Sequence, residues 1–304
     1  MKTLVTGGAG FIGSHLVDRL LQEGYSVAVV DDLSTGKQKN LHKEAKFYKM
    51  DVRSQSLARL FKKERPEIVF HLAAQMDVRR SVSDPRFDAE SNIIGLLNLL
   101  ELAVQHGVRR VVFASSGGAV YGEQADFPAP ESHATNPLSP YGVSKRTGEH
   151  YLYYYQKVCG LEYTALRYAN VYGPRQDPFG EAGVVAIFTQ KMLKGEQPVI
   201  NGNGMQTRDF VFVEDVIEAN MAAIRSVGSD LFNVGTGIET SVNDLFCLLA
   251  HIVGVSMKEV HGQEKKGEQL RSSLDCQKIY KALDWAPRIS IQEGLEKTVE
   301  YFRV

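Results

Sequence analysis

Residues 2–13, KTLVTGGAGFIG, contain a short apolar run that ends in a cluster of glycines. The run is rich in β-branched residues and favours a strand, and Gly7, Gly10 and Gly13 then form the spacing G-x-x-G-x-x-G. Beyond the glycines, apolar residues recur at helical spacing as far as Leu21. A strand that passes through a glycine turn into a helix lets the backbone approach a pyrophosphate and offers it the N–H groups of the helix N-terminus. The sequence therefore predicts a dinucleotide site at this turn.

An acidic residue follows the second predicted strand, Ser26–Val30. Asp31 lies eighteen residues after Gly13, where a carboxylate accepts hydrogen bonds from the adenosine ribose hydroxyls and repels a 2′-phosphate. The pattern therefore favours NAD over NADP as the cofactor. Two interpretations of Asp32 stay open, because it could assist Asp31 or begin a solvated turn.

Strand-like and helix-like segments alternate through the first half of the chain, which indicates right-handed βαβ crossovers and a parallel sheet covered on both faces. Further strands are predicted at Phe47–Met50, Glu67–Leu72, Arg110–Ala114 and Tyr163–Leu166, and helices at Gln55–Glu64, Phe87–His106 and Tyr141–Val158. Proline and glycine interrupt this rhythm after residue 174, and shorter segments follow. We predict an α/β fold with a doubly wound parallel sheet in an NAD-binding domain at 1–174, and a smaller, discontinuous α+β substrate-binding lobe at 175–304, with 209–230 rejoining the first domain.

The composition excludes several classes of protein. The 304 residues include 35 Lys and Arg against 36 Asp and Glu, so the net charge is −1 and no general basic field is available for nucleic acid or an anionic membrane. No apolar run approaches the ~18 residues of a membrane-spanning helix, and we expect no secretory signal. The three cysteines form no CxxC pair and the eight histidines are scattered, so we predict no metal site and a cytoplasmic location.

A Tyr-x-x-x-Lys pattern, Tyr141 to Lys145, stands at the start of a predicted helix. The spacing places both side chains on one face of the helix. An ammonium beside a phenol stabilises phenolate, so we expect Lys145 to lower the pKa of Tyr141 from ~10 toward the working pH. That makes Tyr141 a candidate general acid/base. Ser115 and Ser116 end a predicted strand at the ligand-binding edge of such a sheet, where either hydroxyl could bond a substrate oxygen or cap the loop.

Together these motifs resemble the extended short-chain dehydrogenase/reductase superfamily and, within it, the UDP-glucose (UDP-galactose) 4-epimerases. The resemblance covers nearly the whole chain, and its markers include TGGAGFIG at 6–13, DDLSTG at 31–36, HLAA at 71–74, SSGGAVYG at 115–122, YGVSK at 141–145, RYANVYG at 167–173 and RDF at 208–210. It implies a Rossmann-like fold and a UDP-hexose 4-epimerase that works through a 4-keto intermediate with tightly bound NAD.

The resemblance also implies a role for individual residues. Tyr141 would be the base, and Lys145 would hold the nicotinamide ribose. The implied cofactor contacts are Gly7, Gly10, Phe11, Ile12, Gly13, Asp31, Asp32, Leu33, Ser34, Thr35, Gly36, Asp51, Val52, Leu72, Ala73, Ala74, Asn92, Ser115, Tyr141, Lys145 and Tyr168. The implied substrate contacts are Asn170, Arg208 and Lys265 at the diphosphate, Glu268 at the uridine ribose and Ser272 at the sugar's 2-substituent.

Three positions depart from the family pattern. Gly117 stands where the family usually carries the Ser or Thr hydroxyl that bonds the reacting oxygen, and we predict that Ser116 takes over this role. Lys265 replaces an arginine, which keeps the charge and loses the bidentate fork. Asn201 replaces an aromatic residue that stacks on uracil.

Residues 118 and 119 are glycine and alanine, where related dehydratases and decarboxylases carry acidic residues, and this favours simple epimerisation. Two alternatives stay open. One is another nucleotide-sugar enzyme of the same fold, such as a UDP-hexuronate 4-epimerase or a reductase. The other is a non-catalytic NAD-binding regulator.

Two further expectations concern assembly and substrate breadth. The helices predicted at Phe87–His106 and Tyr141–Val158 carry apolar residues around most of their circumference, and related epimerases pair these two helices, so we predict a homodimer. Ser272 is small where a bulky aromatic residue restricts related epimerases to glucose and galactose. We therefore expect N-acetylated UDP-hexoses to be accepted as well.

Overall fold

The computed structural model describes residues 1–178, 183–264 and 269–303, and within them a parallel sheet of seven strands forms the centre. The strands, numbered along the chain, are β1 Lys2–Thr6, β2 Ser26–Asp31, β3 Lys46–Lys49, β4 Ile68–His71, β5 Arg110–Ser116, β6 Glu162–Tyr168, β7 Asn170–Tyr172, β8 Ile200–Asn201, β9 Thr207–Phe212, β10 Asp230–Val234, β11 Glu239–Ser241 and β12 His261–Gly262. The order across the central sheet is β10-β6-β5-β4-β1-β2-β3. The chain reverses direction across the sheet between β1 and β4, which creates the switch point where such sheets bind ligands. The predicted Rossmann-like, doubly wound fold is confirmed.

Helices cover both faces of this sheet. They are α1 Phe11–Gln22, α2 Leu57–Glu64, α3 Val78–Ser83, α4 Pro85–Ala89, α5 Gly95–Gln105, α6 Gly117–Val120, α7 Pro140–Cys159, α8 Val184–Leu193, α9 Val213–Ile224, α10 Val242–Val253, α11 Gln277–Leu283 and α12 Ile291–Arg303. One core contains residues of α1 and α9, and the other contains residues of α2, α5 and α7. Successive strand residues alternate between the two cores, as Val111 and Val112 do, because side chains of a strand point to opposite faces. Apolar residues therefore follow one another without interruption along the strands.

The predicted helix Phe87–His106 lies within helical backbone that runs from Pro85 to Gln105, and a π-helical turn interrupts its α-helical geometry. Pro85 begins the short α4 at its first position, and the carboxylate of Asp84 caps it by accepting the N–H of Phe87 at 3.1 Å. A π-helical turn, Glu90–Ile94, then separates α4 from α5. Such turns occur mostly as single insertions at functional sites, and the apolar spacing of the sequence does not reveal them.

The second half of the chain builds a smaller layer and also returns to the first. Strands β11, β9 and β7 form a three-stranded sheet, and β12 pairs with β8. Strand β10 pairs in parallel with β6, from Asp230 opposite Thr164 to Val234 opposite Tyr168, and so completes the central sheet. The segment predicted to rejoin at 209–230 is thus divided: β9 lies in the small sheet, while α9 packs against α1. The division into a domain at 1–174 and a lobe at 175–304 remains a proposal.

In the part of the chain covered by these elements, no helix combines the length and apolar character that crossing a membrane requires.

Candidate active site

The glycine turn after β1 brings three backbone segments close together. Gly7 has a φ of +71°, which L side chains rarely adopt, and a Cβ on it would lie 2.7 Å from the main-chain nitrogen of Ala73. A Cβ on Gly13 would overlap with the carbonyl group of Gly7. Helix α1 begins after Gly10 with no side chain capping it, so its first N–H groups remain for an external acceptor. This arrangement fits a pyrophosphate at the helix N-terminus.

Asp31, at the end of β2, is buried beside the same turn. Its Oδ2 accepts the N–H of Ala9 at 2.9 Å and its Oδ1 accepts that of Leu33 at 2.8 Å. Burial raises the pKa of Asp31, and these two hydrogen bonds act against the rise. Gly36 lies against the carboxylate so closely that a Cβ there would be 2.6 Å from Oδ1. The loop after β2 therefore closes over Asp31.

The neighbouring carboxylates have local partners. Asp32 is exposed, and its Oδ1 accepts both the N–H of Ser34 at 2.8 Å and the Ser34 hydroxyl at 2.6 Å. Of its two interpretations, the structure supports the one in which Asp32 begins a turn. Asp51, which follows β3, is held by Arg53 with 2.6 Å between Oδ2 and Nη2, and this guanidinium lowers the pKa of Asp51.

The remaining residues predicted to line the cofactor cleft follow the carboxyl ends of adjacent strands. Thr35 is exposed, and the partly exposed ones are Phe11 and Ile12 on α1, Val52 after β3 and Leu72, Ala73 and Ala74 after β4. Because these strands are parallel neighbours, their carboxyl ends form one continuous edge. The predicted contacts are therefore brought together, and their role toward NAD remains a proposal.

Tyr141 and Lys145 lie in the first two turns of α7. Pro140 occupies the first position of the helix, and Ser139 caps it by accepting the N–H of Gly142 at 3.1 Å. Proline at this position costs no hydrogen bond, and the cap satisfies a free N–H group. The start of α7, and with it the direction of both side chains, is therefore fixed by local sequence.

Ser116 and the end of β5 face these two side chains. The Ser116 hydroxyl lies beside the Tyr141 phenol and acts to lower the pKa of that phenol. The Nζ of Lys145 donates to the carbonyl oxygen of Ala114 at 2.7 Å and lies 4.9 Å from the centre of the Phe113 ring. The predicted trio of Ser116, Tyr141 and Lys145 thus meets at one point of the sheet edge.

The prediction that Lys145 lowers the pKa of Tyr141 is wrong for this arrangement. Burial raises the pKa of Tyr141 to about 12, and the neighbouring Ser116 hydroxyl opposes the rise only in part. The Nζ of Lys145 lies 5.7 Å from the centre of the phenol ring and is bonded to a carbonyl group instead. Burial also lowers the pKa of Lys145 to about 8. Loss of solvation therefore outweighs the attraction between the two groups.

Two predicted cofactor contacts have their hydroxyl groups bound elsewhere. Ser115 is 3% exposed and donates to Oε1 of Glu149 at 2.7 Å. Tyr168 is 6% exposed and donates to Oδ1 of Asn220 at 3.0 Å. Both side chains are turned into the protein, and the role of these two residues toward NAD remains a proposal.

Sequence reasoning missed a buried ion pair beneath the site. Glu149 and Arg167 are 3% and 1% exposed, and Nε and Nη2 of Arg167 donate to the two carboxylate oxygens at 2.8 and 2.7 Å. Nη1 of Arg167 donates to the hydroxyl of Tyr121 at 2.8 Å, which donates to Asn233. The pair joins α7 to β6 and β10. The sequence did contain a signal for this ion pair: Glu149 follows Lys145 by four residues and therefore lies on the same helix face.

Sequence reasoning also missed Asp88, a carboxylate that is 0% exposed. Asn92, predicted near the cofactor, is 5% exposed; its Nδ2 donates to Oδ1 of Asp88 at 3.0 Å, and its Oδ1 accepts the N–H of Gln75 at 2.8 Å. Asn92 therefore ties the loop after β4 to Asp88. The spacing of four residues between Asp88 and Asn92 was the signal in the sequence.

The predicted substrate residues lie on the smaller layer. Asn170 on β7 pairs in register with Phe210 on β9, and Arg208 is two residues earlier on β9, on the same strand face as Phe210. A Cβ on Gly118 would lie 3.9 Å from Oδ1 of Asn170, so this amide borders the loop that follows Ser116. Ser272 is 3% exposed. Lys265 and Glu268 lie outside the described residues.

Arg208 donates to the carbonyl oxygen of Thr207 at 2.8 Å. The nearby carboxylates of Asp209 and Asp215 accept hydrogen bonds from main-chain N–H groups. Those of Thr236, Gly237 and Leu274 contact Asp209, and those of Arg288 and Ile289 contact Asp215. Within residues 1–178, 183–264 and 269–303, no three His, Cys, Asp or Glu side chains are grouped to hold a metal ion.

The sequence profile of the NAD dependent epimerase/dehydratase family matches residues 3–235. A UDP-glucose 4-epimerase of Mycolicibacterium smegmatis is 47% identical over 309 residues, covering 100% of this chain and 99% of that protein. The crystal structure of a Thermotoga maritima UDP-glucose 4-epimerase with UDP-glucose superposes with a TM-score of 0.98 at 51% identity, covering 100% of this chain and 99% of the other. A Thermus thermophilus UDP-glucose 4-epimerase in complex with NAD gives 0.95 at 44% identity, with the same coverage of 100% and 99%.

Proposed function

The chain belongs to the NAD-dependent epimerase/dehydratase family, and from this membership we propose that it is a UDP-hexose 4-epimerase that interconverts UDP-glucose and UDP-galactose. The observation that carries the proposal is similarity to UDP-glucose 4-epimerases along the entire chain. The meeting of Ser116, Tyr141 and Lys145 at the ligand-binding edge of the sheet supports it.

The reaction would be a redox cycle in which Tyr141 moves one proton in each direction. The Tyr141 phenolate accepts the proton of the sugar 4-hydroxyl while C4 loses a hydride, which leaves a 4-keto sugar. After the sugar has turned over, C4 regains hydride on its opposite face and Tyr141 returns the proton. When bound, NAD supplies the hydride acceptor and, in its oxidised form, a positive charge near the phenol, which lowers a pKa raised by burial.

Two other side chains would assist this proton transfer. The Ser116 hydroxyl lies beside the Tyr141 phenol, so it is in reach of the same substrate oxygen. Lys145, held on the carbonyl oxygen of Ala114, presents an ammonium to the ribose hydroxyls of the nicotinamide nucleotide. On the substrate side, the planar fork of Arg208 suits a diphosphate, with Asn170 beside it.

The alternatives receive less support. A uronate epimerase or a reductase would share the fold, but the similarity to UDP-glucose 4-epimerases extends over the full chain. A non-catalytic NAD-binding regulator would have no need of the buried Tyr141 and Lys145. We retain N-acetylated UDP-hexoses as additional substrates of the proposed epimerase.

The deciding experiment is incubation with UDP-galactose, UDP-N-acetylgalactosamine and UDP-galacturonate, without added NAD, followed by identification of the products by NMR. Conversion of UDP-galactose to UDP-glucose is the expected result. Tyr141→Phe should fold normally and lose ~10²–10⁴-fold in kcat, because the 4-hydroxyl proton then has no acceptor. Tyr153→Phe, at an exposed position of α7, is the matched control. If Tyr141→Phe kept more than half of the wild-type kcat, Tyr141 would have no part in the mechanism.

We also propose a homodimer, formed by α5 and α7. The leucines of α5 at 96, 99 and 100 turn inward and are 0% exposed, so they do not form the proposed interface. The exposed apolar side chains of this helix pair are Val104, Val143, Tyr153, Tyr154 and Val158.

A cytoplasmic location is proposed as well, and it is supported by three free thiols, two of them exposed, that form no disulfide.

A further inference from the structure

Asp88 is a fully buried carboxylate whose hydrogen-bond partners are all uncharged. Its Oδ2 accepts the hydroxyl of Ser144 at 2.6 Å, and its Oδ1 accepts the side-chain amides of Gln75 and Asn92, each at 3.0 Å. An ionised carboxylate accepts hydrogen bonds and donates none. The three donors therefore satisfy an anion, yet an isolated buried anion is costly unless a positive charge lies near it.

A source of positive charge that Asp88 influences is Lys145, which stands next to Ser144 on α7. Lys145 is 4% exposed, and its Nζ is bonded to a carbonyl oxygen and no carboxylate. Two negative charges favour the ammonium form of Lys145 and raise its pKa, and the effect of Asp88 is larger than that of Glu149. Asp88 also raises the pKa of Tyr141, because a negative charge opposes formation of phenolate.

We propose that Asp88 is a positioning residue of this site, which serves as the counterion of the Lys145 ammonium and holds the first turns of α7 through Ser144. Asp88 contacts Ser144 from α4. The π-helical turn after α4 brings Asn92 back onto the same carboxylate. Asp88 thereby links the loop after β4, the start of α5 and the reactive helix.

Other charged groups around Lys145 leave this role to Asp88. Glu149, one turn further along α7, is already paired with Arg167 and Arg146. His71 at the end of β4 is buried and remains neutral, because burial and Lys145 lower its pKa to about 3. Tyr141 is the remaining titratable neighbour on α7. Of the other elements packed against α4, α3 carries the charged side chains Arg79 and Arg80 and the π-helical turn carries Glu90, and all three are exposed.

The test is Asp88→Asn, which removes the charge and keeps an amide that can exchange hydrogen bonds with the same three partners. Without the anion, both Lys145 and Tyr141 should lose their protons at lower pH. We expect the pH profile of kcat for UDP-galactose to move toward acid by about one pH unit. The kinetic readout rests on the proposed function. A titration followed by phenolate absorbance is independent of it. Subtracting the absorbance of the corresponding Tyr141→Phe protein isolates the titration of Tyr141, and its midpoint should also move toward acid in Asp88→Asn.

The matched control is Asp215→Asn, another buried carboxylate, which accepts the N–H groups of Arg288 and Ile289 at 3.0 and 3.1 Å. It should lose stability and leave both titrations unchanged. If the phenolate titrations of Asp88→Asn and wild type coincide, the counterion role is overturned. If instead no UDP-hexose is epimerised, only the proposed function is refuted, because the phenolate titration does not depend on it. Should Asp88→Asn fail to fold, Ser144→Ala takes its place. It retains the charge, so kcat should fall about fivefold with an unchanged optimum, and a kcat within twofold of wild type would overturn the positioning role.

Discussion

The side chain of Leu274 occupies the space that a side chain at position 117 would need. A Cβ on Gly117 would overlap with Cδ1 of Leu274 and lie 2.9 Å from its Cδ2. Leu274 is 1% exposed, packs with Val120 and Tyr121, and donates its N–H to Asp209 at 3.2 Å. It therefore has little freedom to move. The glycine that departs from the family pattern and this leucine are matched in size.

This match predicts a coupling between the two positions. Gly117→Ser alone should lower the free energy of unfolding by ~1–3 kcal/mol, because it overpacks a filled site. Leu274→Ala alone should also destabilise, since it leaves a cavity. The double variant should be less destabilised than the sum of the two by ~1 kcal/mol or more. Denaturant unfolding and kcat of all four proteins measure the coupling, and simple additivity would contradict it.

The small side chain of Ser272, at a buried position, leads us to expect that N-acetylated substrates are accepted. Ser272→Tyr should suppress conversion of UDP-N-acetylgalactosamine more than that of UDP-galactose, because overfilling a pocket typically costs ~1–3 kcal/mol, or roughly 5- to 150-fold. The measurement is kcat/KM for both substrates. Ser273, also small and buried, would be the gate if the alignment shifts by one residue, so Ser273→Tyr is measured in parallel, and a selective loss there would assign the gate to Ser273. An equal loss on both substrates in Ser272→Tyr would remove its role as the gate.

The proposed dimer predicts that a charge on the outer face of α7 produces monomers. Tyr154 is 51% exposed, so Tyr154→Arg should leave the fold intact and place a cation in the interface. Light scattering at micromolar concentration should then give half the wild-type mass. Val227→Arg, at an apolar position that is 99% exposed and away from α5 and α7, should leave the mass unchanged. A wild-type protein that is already monomeric would exclude the dimer.

His71 predicts how stability depends on pH. Its Nδ1 lies 2.8 Å from the Thr6 hydroxyl, and burial with the nearby Lys145 lowers its pKa from 6.5 to about 3. Between these values the unfolded chain binds a proton that the folded protein does not. The contribution of His71 is therefore fully present above pH 6.5 and is lost as the pH falls, by at most ~1.4 kcal/mol per pH unit.

The matching experiment is denaturant unfolding at pH 7 and pH 5. His71→Asn keeps a partner for Thr6 and cannot bind the proton, so it should lose less stability between the two values than wild type. The exposed His251→Asn is the control and should follow wild type. If all three proteins lost the same unfolding free energy between pH 7 and pH 5, His71 would not be responsible for the loss of stability in acid.

The sequence was sufficient for the parallel, doubly wound class of the central sheet and for the edge where the site lies. Both depend on local signals: the glycine turn, apolar strands that alternate with helices, and the spacing from Tyr141 to Lys145. The π-helical turn before α5 was missed because apolar periodicity continues through Phe87–His106 on both sides of it. Periodicity reports which face is apolar and not how many residues complete a turn.

Features that depend on distant contacts could not be read from the sequence. The pKa of Tyr141 is governed by burial, which sums contributions from several elements. Asp88 looks like a solvated helix residue until the loop after β4 and α7 close over it. Leu274 fills the space beside Gly117 across a long stretch of chain, and no spacing rule connects such positions.

Strand β10 has a consequence for how the protein is made. It is the outer neighbour of β6, yet 66 residues separate the end of β6 at Tyr168 from the end of β10 at Val234. At a synthesis rate of roughly 5–20 residues per second, β6 waits about 3–13 s as an open edge after it has been translated. During that interval its unpaired N–H and C=O groups are available to another nascent chain. The interval between translating β6 and β10 is therefore when we expect this enzyme to depend most on chaperones, although the Tyr141 to Lys145 segment has already been translated.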